Sequence, residues 1–201
     1  MTLWFINEFH LQILVLELLL CRKLPKKKGF LYRLLLLVPL YIVLPLLVPG
    51  GFMAPFFRIG EGITFSFLIM ILLSAVVLKL LFEISVKQLV FCCCVSHTLQ
   101  HMVHCLSRVV CFMFHLSQTP SQIVELVLMG AAVLVLYIFL KQERFFGVET
   151  AEIKSTQLLA FAVLSSLIVY GISFWSYWNE GENIGEQFFD FLSCLLLLVI
   201  L

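Results

Sequence analysis

Residues 122–140, QIVELVLMGAAVLVLYIFL, read as one uninterrupted apolar helix with Glu125 as its single charge. At about 1.5 Å of rise per residue the run is ~28 Å long, which matches the ~30 Å hydrocarbon thickness of a bilayer. An amphipathic helix of a soluble core would keep a polar face, and this segment has almost none. The rest of the chain is of the same kind. Its 201 residues are 62% hydrophobic and 12% charged, with 20 phenylalanines, and the mean hydropathy is +1.10. Too little polar surface is available to coat a soluble globule of this size. The net charge of +1 gives no basis for binding nucleic acid, and the partner that composition implies is the lipid bilayer.

Apolar runs of comparable length recur at 3–21, 31–49, 62–82, 88–114, 157–177 and 188–201, making seven in all. Barrel strands would need alternating segments of about 10 residues, which are absent, so the expected fold is all-α: a polytopic membrane helical bundle of about seven transmembrane helices. Pro39, Pro45 and Pro49 are expected to kink the second helix near Pro49-Gly50-Gly51. The first run carries Asn7, Glu8, His10, Gln12 and Glu17 and lacks a basic leader, so it reads as a retained span and not a signal peptide. The last run, 188–201, is shorter than the roughly 20 residues a span requires. The expectation is a truncated seventh helix, with 1–201 forming a single transmembrane input domain and containing no soluble domain.

Orientation follows from lysine and arginine. Arg22, Lys23, Lys26, Lys27, Lys28 and Arg33 lie between the first two runs, Lys79 and Lys87 near the junction of the third and fourth, and Lys141, Arg144 and Lys154 between the fifth and sixth. The opposite loops hold only Arg58, while Arg108 lies within the fourth run. The positive-inside rule then places the N-terminus outside and the C-terminus in the cytoplasm. Glu17, one turn from Arg22 and Lys23, is expected to snorkel toward the cytoplasmic face.

Polar chemistry concentrates in the fourth run. His97, His101, His104 and Arg108 recur at i, i+4, i+7 and i+11, a single stripe of a helix, with Gln100 beside it. A charged group at mid-membrane costs on the order of 2.5–3.5 kcal/mol on insertion scales, so the stripe should face the bundle interior. Two roles fit. The side chains either bond to neighbouring helices and fix packing, at about 0.6 kcal/mol per pair, or exchange partners between two bundle states in response to a signal. Arg108 cannot shed its charge and is expected to keep a partner such as Glu125 on the fifth helix or a bound anionic ligand.

The seven cysteines, Cys21, Cys92, Cys93, Cys94, Cys105, Cys111 and Cys194, lack CxxC spacing and fall almost wholly within spans. They are expected to line helix interfaces as small, weakly polar residues. Three histidines on one helix could offer metal ligands, but no HExxH or comparable set accompanies them, so no metal and no cofactor are expected. A cysteine nucleophile would need a nearby histidine. The pairs His97–Cys105 and His104–Cys111 are about two turns apart, too far for a direct bond.

The stretch Lys87-Gln88-Leu89-Val90-Phe91-Cys92-Cys93-Cys94-Val95-Ser96-His97-Thr98-Leu99-Gln100-His101-Met102 resembles the fourth-helix pattern of Firmicutes GHKL-type sensor histidine kinases, where a small, Cys-rich segment leads into a Gln-His pair. The opening NEFHLQILVLELLLCRKLPKKK, residues 7–28, is similar to the first helix and basic hairpin of that group. Phe189-Asp190-Phe191-Leu192-Ser193-Cys194-Leu195-Leu196 resembles the helix that in those kinases continues into a coiled coil, a phosphoacceptor-histidine region and an ATP-binding domain. The resemblance implies the signal-sensing module of a two-component, quorum-peptide receptor-like kinase in the bacterial cytoplasmic membrane. It implies a homodimer within the full-length kinase and an extracellular peptide or small ligand as signal. His97, Gln100, His101, His104, Arg108 and Glu125 would be the sensing or switch residues, and none of the five histidines would be a phosphoacceptor. No catalysis is expected from these residues alone.

Two other readings remain. A small transporter or channel would show matching inverted halves, which are not apparent. Membrane peptidases of quorum-sensing systems resemble the chain in size and span count, but the glycine pair that precedes their histidine is missing.

Overall fold

A computed structural model describes residues 3–47, 71–116, 118–141, 159–160, 162–169, 171 and 184–200. Every regular element among them is an α-helix, and β-pairing is confined to one isolated bridge between Lys26 and Phe82. The helices are α1 (Leu3–Leu20), α2 (Phe30–Leu47), α3 (Ile71–Leu81), α4 (Val86–Met113), α5 (Gln118–Lys141), α6 (residues 162–169) and α7 (Ile184–Ile200). Each falls on one of the seven apolar runs. α7 starts four residues before the expected 188, so it is longer than the truncated helix read from hydropathy. α2 continues through Pro39 and Pro45. Pro49-Gly50-Gly51, Arg58, Glu180 and Glu182 lie outside the described residues. Two helical segments, Val86–Met113 and Pro120–Ile138, are long and apolar enough to cross a membrane.

The chain divides into two compact units, Met1–Cys93 and Cys94–Leu201, with the division inside α4. In the first unit a tight connection turns α1 into α2. Gly29 adopts φ +73°, a left-handed conformation that glycine reaches without steric cost, and its carbonyl accepts from Arg33 N–H at 3.0 Å to open α2. This basic turn docks on the end of α3. Lys27 N–H donates to the Leu81 carbonyl at 3.0 Å, and Glu83 N–H donates to that of Pro25 at 2.9 Å. Lys27 Nζ caps the Lys79 carbonyl at 2.7 Å, Arg33 that of Leu80 at 2.9 Å, and Lys79 that of Ile84. Cations thus satisfy the carbonyls at a helix C-terminus, where the dipole favours them. The α1–α2 and α3–α4 connections therefore share one face of this unit. Lys26 over the Phe30 ring at 4.9 Å, and Phe30 against Phe82 at 5.3 Å between centroids, complete the seam.

Polarity is distributed inside out in both units. Leu31, Tyr32, Leu35 and Leu36 of α2, and Ile123, Leu126, Val127 and Leu134 of α5, are all more than half exposed. His10, Gln12, Glu17, Ser74, His97, Gln100, Glu125, Ser165 and Asp190 are buried. In water such apolar faces would be far larger than a monomer tolerates; in lipid they cost nothing, and buried polar contacts and close packing hold the helices together.

Candidate functional site

α4 carries the polar stripe, and its ends are fixed by local chemistry. Ser85 and Gln88 form a reciprocal capping box: Ser85 N–H donates to Gln88 Oε1 at 3.0 Å, and Gln88 N–H to Ser85 Oγ at 3.3 Å. The helix therefore starts at Val86, two residues before its apolar run. At the other end Leu116 N–H reaches the Cys111 carbonyl at 2.9 Å and His115 N–H that of Phe112 at 3.1 Å, with His115 at φ +50°. That is a Schellman stop with histidine in the position glycine usually holds. Within the helix, Thr98 Oγ1 donates to the Cys94 carbonyl at 2.9 Å and Ser107 Oγ to that of His104 at 2.8 Å, so both hydroxyls are satisfied without a second helix.

His97, Gln100 and His101 are buried along this helix. The His97 and His101 rings lie nearly parallel, 7° apart with centroids at 6.4 Å. His104 turns its Nδ1 to Glu125 Oε1 of α5 at 3.2 Å. Glu125 thus meets His104, a partner that the sequence reading did not name. Arg108, one turn further, acts electrostatically on the Cys105 thiol.

His101 makes a contact that pattern reading missed. Its Nε2 is 3.5 Å from Cys105 Sγ. The i, i+4 relation lays the two side chains over each other on one face, whereas the pairs considered from sequence were two turns apart. Asp190 of α7 joins them, and the three ligand atoms lie within 4.8 Å of one another. Nothing in the local pattern around Asp190 announced this; its sole signal is a carboxylate inside an apolar run.

The first unit holds a second buried carboxylate. Glu17 of α1 is fully enclosed and accepts from Ser74 Oγ of α3 at 2.9 Å, with Cys93 of α4 as a further hydrogen-bond partner. It does not snorkel to the surface, because Ser74 supplies inside the bundle what water would have supplied outside. Tyr41 Oη of α2 reaches the His10 carbonyl of α1 at 3.4 Å. Cys21 and Cys92 approach to 3.7 Å between sulfurs, and all seven cysteines are free thiols, six of them buried.

Compared with protein-family models, curated proteins and solved structures, the chain has no match.

Proposed function

We propose that the chain is a multi-pass, membrane-embedded signal-input module, and that it serves a two-component sensor histidine kinase. The observation that carries the reading is the row His97, Gln100, His101, His104 and Arg108 on α4, of which His97, Gln100 and His101 are buried and His104 and Arg108 half-buried, linked to α5 through His104–Glu125 and set among helices whose outer faces are apolar. Polar side chains at that depth are costly to leave without partners, so a helix that bears them has a small set of discrete pairings and resists intermediate ones. Such a helix suits a two-state element. A ligand at the outer face that favours one pairing shifts the population by its differential affinity, about 1.4 kcal/mol for each factor of ten. The kinase assignment rests on the resemblance of residues 7–28, 87–102 and 189–196 to GHKL-type sensor kinases, whose membrane region dimerises and receives an extracellular peptide or small ligand.

The test is to read the coding DNA beyond the Leu201 codon. The proposal expects an in-frame coiled coil, a phosphoacceptor histidine and an ATP-binding domain. A stop codon followed by a transporter or peptidase gene in the same operon would contradict it.

A further inference from the structure

We infer that His101, Cys105 and Asp190 form a binding site for a zinc-type divalent transition-metal ion that ties α4 to α7. The inference stands on geometry within the second unit and is independent of the signal-input reading; failure of either leaves the other intact.

The donor set comes first. Imidazole, thiolate and carboxylate are the three protein ligand classes of zinc, and here they arrive from two helices, His101 and Cys105 one turn apart on α4 and Asp190 on α7. Distance comes second. With Zn–S of about 2.3 Å and Zn–N of about 2.0–2.1 Å at a tetrahedral angle, sulfur and nitrogen should stand roughly 3.6 Å apart. His101 Nε2 and Cys105 Sγ are 3.5 Å apart, and the carboxylate oxygen lies within 4.8 Å of both. Burial comes third. His101, Cys105 and Asp190 are 9%, 1% and 4% exposed. A neutral imidazole, one thiolate and one carboxylate around a divalent cation sum to zero charge, the state that an enclosed site in an apolar bundle favours. Cys194, one turn beyond Asp190 on α7, is also buried.

A Cys-His-Asp nucleophilic relay uses the same residue types and is disfavoured by shape. A relay sets the ring between carboxylate and sulfur, with two hydrogen bonds of about 2.6–3.2 Å and the ring width separating them by roughly 7 Å. Here oxygen and sulfur lie within 4.8 Å and converge on a common point, the arrangement of a chelate.

The experiment uses the full chain, purified in detergent, stripped with chelator and titrated with cobalt(II), followed by zinc(II). The inference expects one cobalt per chain with a thiolate-to-cobalt charge-transfer absorption that zinc abolishes. Cys105→Ser should remove the absorption, and His101→Gln and Asp190→Asn should each weaken binding at least tenfold. Cys111→Ser, on the same helix but outside the set, should bind as wild type. Asp190→Asn lies on the other helix and is nearly isosteric, so it decides the matter if Cys105→Ser does not fold. Absence of stoichiometric binding, or binding that Asp190→Asn and His101→Gln leave unchanged while Cys111→Ser weakens it, would overturn the inference and assign the metal to scattered thiols.

Discussion

A carboxyl group withdrawn from water needs donors from its own fold, and Glu17 has Ser74. Ser74→Ala removes the hydroxyl and leaves the acceptor enclosed, a loss of about 1–3 kcal/mol. The melting temperature in detergent should fall accordingly, while Ser74→Thr, which keeps the donor, should stay close to wild type. For His104 and Glu125, a double-mutant cycle with His104→Leu and Glu125→Gln should give a coupling of about 0.6 kcal/mol, and no more than roughly 1.7 kcal/mol, the range of membrane-helix pairs. A coupling near zero would mean that the 3.2 Å contact contributes nothing to holding α4 on α5. At this scale the sequence was legible where information is local. The spacing of His97, His101, His104 and Arg108 defines a stripe because 3.6 residues make a turn. The partners were not legible, since no periodicity says that Ser74 will meet Glu17, that Asp190 will meet Cys105 or that His104 will meet Glu125.

The helices owe their limits to side chains that hydropathy does not weigh. Ser85 and Gln88 move the start of α4 ahead of its apolar run, and the signature S-x-x-Q was there to be read. Ser85→Ala should cost about 1 kcal/mol, seen as a lower unfolding midpoint. His115 ends the helix in a conformation that costs a non-glycine residue roughly 1–2 kcal/mol, so His115→Gly should raise stability by a fraction of that, offset by the lost contact with Phe112 at 6.2 Å. A lower midpoint for His115→Gly would show that the ring contact outweighs the backbone strain. The early start of α7 at Ile184 escaped notice because Gly185, Glu186 and Gln187 dilute the hydropathy of its first turn.

For the whole molecule, seven apolar runs were enough to establish an all-helical fold, because length and composition are properties of single segments. How the segments group was not readable, since the basic turn at 22–33 meets the end of α3 through backbone bonds, and any sequence can make those. That contact sets two basic connections on one face, and α2 and α5 each carry a row of exposed leucines. Multi-pass insertion with those connections in the cytoplasm is the claim on which the signal-input reading depends. The most direct measurement places single cysteines at Lys27 and at Glu182 and treats intact cells with a membrane-impermeant thiol reagent. Six of the seven native thiols are buried, so they should add little background. Labelling at Glu182 and not at Lys27, with Lys27 reacting only after the cells are opened, is the result predicted. Labelling of Lys27 in intact cells would contradict the account.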